Sequence, residues 1–543
     1  MNRYIKTSVA LAVAALTFTG CEDLDVVNKS KYVTSDDKEA TLKLNPGVAA
    51  AGVAGVSATV KQYMSVYENH FDFGYAATML GLDLQGQDMV GDWSGYNWFR
   101  YWEGFTSPTP TGTPSSEAWY VIYSQIFACN ALCESISPDT EEAELQFYRG
   151  QALLTRGFDY WVLAQLYQLN YKGHESAPCV PIVTNENKAD VQVNGAPRAT
   201  VEETYKQVLK DLDEAIDLIA ASGLQPDDVM SSKPKRYGSL ATAYGMRARV
   251  YLTMHKYAEA AADADAAIAN FRGSVLSMSG AAQPGFWSID EADWMWGIPV
   301  EESDRIVTSG IVNWPSMMNT FCANGYVNVG AWKDCNVDLY EQIPATDVRK
   351  GWFLDENGVS ANLTAQQQRY IDSQDSPVRP YTNVKFIGYQ GVAGQTTNAN
   401  DIPLMRIEEM YLIKAEGLAM SGQTTQAAEF LTNFVQSYRN PNYTCEATDA
   451  EGIQQEVLLQ RRVELWGEGL SWFDVMRLDL EINRKGCNWP EEAAFRIPSA
   501  AAEPDKAYVR IYCIPQGEIN GNKALTTQDN NPSGPKPDPA TWN

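Results

Sequence analysis

Apolar positions recur at helical spacing, with few breakers, over residues 117–135, 141–169, 201–221, 239–269, 405–438 and 453–480. Each stretch predicts one long helix or two shorter ones. Two of them hold a helix-turn-helix repeat. In the first, Tyr244, Ala248, Tyr251, Tyr257, Ala260 and Ala267 are set out as in tetratricopeptide repeats; in the second, Tyr411, Ala415, Leu418, Gly422, Ala427 and Phe434 follow the same spacing. Small residues let paired helices approach while aromatic and aliphatic side chains fill the gaps. Residues 141–169 and 201–221 form a third pair, split by a Pro-containing insertion. One pair cannot cover its own apolar face, so such pairs stack. The predicted fold is mostly α, a scaffold of tetratricopeptide-like helix pairs.

Residues 271–401 change texture to Gly, Asn, Pro and aromatics with few helical windows. So long a connection packs as a loop-rich aromatic subdomain on one face of the helices. Inside it Trp294, Trp296 and Ile298 alternate as in a buried strand, which makes these tryptophans core residues; Trp287 stays open between core and site. The polar, Pro-rich residues 518–543 lie along the surface or fray.

The chain begins with Arg3 and Lys6 and an apolar run over residues 9–18, too short to span a bilayer. Residues 1–20 read as a signal peptide. Leu16-Thr17-Phe18-Thr19-Gly20-Cys21 resembles the lipobox of bacterial lipoproteins, with Phe18 where Leu is usual and Cys21 as the acylated first residue of the mature chain. Glu22, Asp23 and Asp25 resemble the surface-export signal of Bacteroidetes lipoproteins. No later run is apolar enough to cross a membrane, so the anchor is the expected membrane contact. A formal charge of -26 over 543 residues excludes a nucleic-acid footprint, which needs basic surface. Eight cysteines remain after Cys21, irregularly spaced, and read as buried free thiols. Cys129 and Cys133 share a helix face without a His to complete a zinc set, so no metal or cofactor is expected.

The most conspicuous chemistry is a loop. Trp93, Tyr96, Trp98, Phe99, Tyr101 and Trp102 put six aromatics in ten residues, among glycines at 81, 86, 91, 95 and 104. Neither helical nor strand spacing places all six rings on one face. Asp83, Asp88, Asp92, Asn97 and Arg100 are interleaved with them. Flat apolar ring faces beside hydrogen-bonding groups suit a sugar, whose axial C–H side lies on a ring while hydroxyls meet carboxylate, amide or guanidinium. The alternative is a satellite core plugging one end of the stack. Trp314, Tyr326 and Trp332, set among asparagines, are candidates for the opposite wall. No catalytic residue is assigned. Asp88 with Asp92, or Glu464 with Glu468, could form a glycosidase pair by residue type. Hydroxyl binding explains the first pair more simply. The second sits at helical spacing among Arg461, Arg462, Asp474 and Arg477 and reads as structural ion pairing. No metalloprotease, nucleophile-elbow or phosphate-loop motif is present.

Residues 402–416, from Ile402-Pro403-Leu404-Met405-Arg406-Ile407-Glu408-Glu409 to Lys414-Ala415-Glu416, resemble a signature of the SusD/RagB family of Bacteroidetes nutrient-binding lipoproteins. Residues 461–477, with Arg461-Arg462-Val463-Glu464-Leu465-Trp466-Gly467-Glu468 and Trp472-Phe473-Asp474, resemble a second. Asn130, Thr346-Asp347-Val348-Arg349-Lys350 and Ile514-Pro515-Gln516-Gly517-Glu518-Ile519-Asn520 fit three more, in order. Gln460, Ser471 and Asn520 depart from the usual residues. The resemblance implies about four helix pairs behind a loop-rich face. It implies binding of glycans, less often peptides, at the surface of the outer membrane, and delivery to a TonB-dependent, SusC-like transporter. The chain then divides into the signal peptide 1–20, a lipidated SusD-like region 21–270 with helix pairs and aromatic loop, and a RagB/SusD region 271–543 with loop-rich insert, helix pair and polar tail.

Overall fold

The computed structural model describes residues 45–93, 95–106 and 109–542. The signal segment and Cys21 lie outside the described residues.

The scaffold is helical. Helix α1 (Ala49–Thr59) is followed by α2 (Tyr75–Gln85) and the one-turn α3 (Arg100–Glu103). Next come α4 (Thr113–Ser135), α5 (Ala143–Tyr167) and α6 (Val201–Ser222). The repeat-like stretches are α7 (Leu240–Thr253) with α8 (Tyr257–Asn270) and α9 (Ile407–Met420) with α10 (Thr424–Tyr438); α11 (Ala450–Glu464) and α12 (Ser471–Arg477) close the series. The packed pairs are α1 on α4, α5 on α6, α7 on α8, and α9 on α10, with α8 against α9 joining the last two.

Small residues set the spacing. Ala248, Ala260, Ala267, Ala415 and Ala427 are fully buried, as the repeat pattern requires. Along α5, a Cβ added to Gly150 would lie 2.7 Å from Ile219, and one added to Gly157 would lie 3.0 Å from Leu212. As one member of each contact moves up the chain by seven residues the other moves down by seven, so α5 and α6 run antiparallel. Helix α6 is fixed at its start by a capping box, in which Thr200 accepts from the Glu203 N–H and Glu203 accepts from the Thr200 N–H.

Residues 453–480 are not one helix. Gly467 and Gly469 take φ of +80° and +74° between α11 and α12, a region closed to most side chains. The break turns Glu468 back beside Glu464 into a buried charge network. Arg406, at the end of strand β6 (Ile402–Arg406), meets Glu464 (3.1 Å), Glu468 (2.8 Å), Glu408 (3.1 Å) and Asp293 (3.3 Å). Arg439 and Arg349 also reach Glu464, and Lys385 reaches Glu468. Burial opposes the charge on Glu464, but Arg439, Arg406 and Arg349 outweigh it and hold the carboxyl well below its ordinary range. The Glu464–Glu468 pair is therefore structural.

The loop-rich region is tied down by short antiparallel ladders. Strand β4 (Trp294–Ile298) pairs with β6 (Ile402–Arg406), and both are buried on both faces; Trp294 and Trp296 are core, as their alternation predicts. Strand β1 (Met89–Val90) pairs with β5 (Asp334–Cys335), which joins the aromatic loop to the insert across some 245 residues of sequence. The tail docks on the surface: Asn531 donates to the Tyr167 and Tyr512 carbonyls, and Trp542 is buried. Among the described residues every cysteine is free, and all but Cys487 are buried.

Candidate functional site

The segment leaving β1 divides its rings between inside and outside. Phe99 and Trp102 are buried against Phe73 and Phe71, and Trp102 sits where a Cβ on Gly81 of α2 would be 2.4 Å from its indole nitrogen. Tyr96 is 52 % exposed, while Trp93, Trp98 and Tyr101 are half-buried. Tyr101 packs on Phe71, and the exposed Arg100 lies 5.7 Å from the Tyr101 ring centre.

Around Trp98 the rings form a corner. His70 stacks on the indole at 4.6 Å with planes 18° apart. Tyr326, brought in from the insert, hydrogen-bonds His70 Nδ1 through its hydroxyl. Its ring lies 6.0 Å from Trp98 at 69° and 6.3 Å from Tyr96 at 36°. The difference between those angles leaves Tyr96 and Trp98 at least 33° from coplanar. Burial lowers the His70 pKa, so the imidazole is neutral at pH 7 and can lie flat on an indole.

The interleaved polar residues serve the framework instead. Both oxygens of Asp88 are held by Arg462, at 2.6 and 2.9 Å. Asp83 accepts from the Gly469 N–H (2.8 Å) and the Ser471 hydroxyl (3.0 Å), and burial pushes it up to about 7. Asn97 donates to Glu103 (2.8 Å) and accepts from the Phe99 N–H, folding the loop over a buried carboxyl that desolvation raises to about 7. Asp92 alone of the three aspartates is half-exposed, 3.3 Å from Arg379.

The opposite wall needs a similar correction. Trp314 opens the short helix Trp314–Met318 and is 2 % exposed, its ring 4.9 Å from that of Phe386. Trp332 is 1 % exposed and donates its indole N–H to the Pro377 carbonyl. Neither offers a ring face to solvent. Tyr326 is also buried, at 7 % exposed, but it does meet the loop and backs its rings. The rings and polar groups left at the surface are thus Tyr96 and the half-buried Trp98, with Trp93, Tyr101, Arg100 and Asp92 on the same segment.

Two family profiles match the sequence, one described as starch-binding associating with outer membrane over residues 65–252 and one of the SusD family over residues 315–533. The chain belongs to the SusD family. A curated relative, SusD-like protein P2 of Formosa agariphila, is 22 % identical over 502 residues, 88 % of this chain and 91 % of that protein. A SusD-like carbohydrate binding protein from Bacteroides vulgatus shares the fold with a TM-score of 0.69 at 21 % identity, over 89 % of this chain and 97 % of its own. Surface glycan-binding protein A from Bacteroides thetaiotaomicron, solved in complex with laminarihexaose, aligns with a TM-score of 0.62 at 15 % identity, over 88 % and 98 %.

The SusD-family motifs land on the framework rather than at the corner. Arg406, Glu408, Asp347, Arg349, Glu464 and Glu468 meet in the buried charge network, and Asn130 accepts from Arg156 at 2.8 Å in the interior. His70 was not singled out from the sequence. Its one local sign is a place between Tyr67, Phe71 and Phe73, an aromatic run that ends on α2. Among the described residues no helix is long and apolar enough to cross a membrane.

Proposed function

We propose that this protein binds glycans at the cell surface through the corner of Tyr96, Trp98, His70 and Tyr326. The observation that carries the reading is a pair of accessible rings held at a fixed inclination by buried neighbours. Preorganised rings bind at low entropic cost. Rings inclined by at least 33° suit a glycan whose successive sugars turn, rather than a flat ribbon. The related fold that holds laminarihexaose is consistent with this choice of ligand class.

The rest of the reading follows from the family. Cys21 carries the lipid, the chain stays on the outer face of the outer membrane, and cargo passes to a TonB-dependent, SusC-like transporter over which it sits. The test is a glycan array, with peptides included, probed with the chain lacking Cys21 and with Trp98→Ala beside it. Binding to oligosaccharides that Trp98→Ala abolishes supports the reading. Binding to peptides alone, or to nothing, overturns it.

A further inference from the structure

A second cleft lies between α4, the insertion after α5 and the short helix Gln516–Gly521. Its volume is about 320 Å³, within the range of small-ligand sites. Trp119, Tyr120 and Tyr123 supply aromatic wall, and Glu518 and Asn522 supply the polar edge. Gly195, with φ of +80°, lets the insertion close on Asn522, whose amide oxygen accepts from the Ala196 N–H. The cleft is thereby built from three segments locked together rather than left between loose ones.

Its charge is unbalanced. No Lys, Arg or His lines it, and among the described residues Glu518 makes no ion pair; one carboxylate oxygen accepts only from Asn522. The nearby Lys523 does not line it, and its ammonium donates to the Val193 carbonyl. The Tyr120 ring is 39 % exposed, and its hydroxyl lies against Gly517, beside Glu518. A carboxylate without a counter-charge next to the exposed Tyr120 ring and the half-buried Tyr123 attracts a cation on both counts, by charge and by the ring quadrupole. A neutral polyol would gain only the hydrogen bonds.

We propose that this cleft is a second binding site, for an organic cation the size of one side chain or one amino sugar: an ammonium or guanidinium group on a compact body. It stands independently of the aromatic corner, and Trp98→Ala separates the two. The probes are glucosamine against glucose, which share a shape but differ in charge, and the methyl esters of lysine and arginine. Saturation-transfer NMR at low salt on the folded chain should show the cationic probes bound at least about tenfold more tightly than glucose. Glu518→Gln keeps the hydrogen bond to Asn522 but removes the charge. It should abolish that preference, Tyr120→Leu should weaken it, and Trp98→Ala should leave it unchanged. Binding of glucosamine alone assigns the site to amino sugars, and binding of the esters assigns it to basic side chains. Equal binding of glucosamine and glucose, or a preference that survives Glu518→Gln, overturns the proposal. So does loss of the preference in Trp98→Ala, because the probes would then sit at the corner.

Discussion

The buried charge network and the aromatic corner are built from opposite materials. The network takes charged residues from β6, α9, α11 and the insert and removes them from water, where they satisfy one another. The corner takes aromatic rings and leaves Tyr96 and part of Trp98 in water, propped against His70 and the buried Tyr326. The sequence motifs that carry the family resemblance fall almost wholly in the first region. A signature of charged residues at helical spacing therefore marks how the stack is held together, while the corner proposed for glycans is built from residues outside every motif.

The comparison breaks most severely at Arg406. Its guanidinium touches four carboxylates, all nearly fully buried. Arg406→Met would strand them, and loss of one partner of a buried pair costs about 3–5 kcal/mol. Urea unfolding should show at least that loss, or no folded protein at all. A variant as stable as wild type would mean the network is ornamental and the contrast between the regions false.

Within the aromatic segment, adjacent residues should separate cleanly. Phe99→Ala empties a buried site and should cost about 3–5 kcal/mol of stability. Trp98→Ala should cost about 2 kcal/mol of glycan affinity, roughly thirtyfold, with a melting temperature near wild type. Thermal melts beside titrations with a bound oligosaccharide read both. If Trp98→Ala lowers the melting point sharply and leaves affinity intact, the ring belongs to the core and the corner is not a site.

One buried carboxyl lies under each region, and pH should find both. Asp83 beneath the α11–α12 turn and Glu103 beneath the loop are each pushed up to about 7 by burial. Their folded pKa exceeds the unfolded value near 4, so the folded state binds more protons between those limits. Stability from these groups is fully present below about pH 4 and falls as pH rises toward 7. Asp83→Asn and Glu103→Gln should each flatten part of the decline between pH 4 and 8 in denaturant titrations. An unchanged slope in both would place the responsible groups elsewhere.

The helices were legible because their determinants are local. The α6 boundaries follow from Thr200, Glu203 and the left-handed Gly223, and the repeat alanines from their spacing. The break inside 453–480 was not, because Gly467 and Gly469 look permissive until Met318 and Met79 are seen to leave no room for a Cβ. At the site, the surplus of rings was legible and its partition was not. Asp88 looks like a sugar ligand until Arg462, 374 residues away, claims it. Trp314 and Trp332 sit among asparagines that read as surface, yet Asn313 and Asn319 are themselves buried, donating to backbone carbonyls. Local composition cannot show whether a polar neighbour faces water or a carbonyl.

The smallest effect is expected at His70, and it tests whether the corner is rigid. The neutral imidazole stacks on Trp98, and its Nδ1 takes the Tyr326 hydroxyl; its own backbone N–H donates to the Asn69 side chain. Burial holds its pKa below the ordinary 6.5. The unfolded chain therefore binds the extra proton first as pH falls. The contribution of His70 to the folded arrangement is fully present above pH 6.5 and fades as pH drops through its lowered pKa. Protonated, Nδ1 becomes a donor and the Tyr326 hydroxyl must turn to accept from it, so the contact reverses and a partly buried charge loses water. Cation–π attraction to Trp98 offsets part of that cost, which keeps the effect modest. Glycan affinity should be flat from pH 7 to 8 and weaken less than tenfold by pH 5. His70→Gln should show a slightly lower affinity at pH 7.5 and a flat profile below it. If His70→Gln remains as acid-sensitive as wild type, the titrating group is another and His70 does not prop the corner.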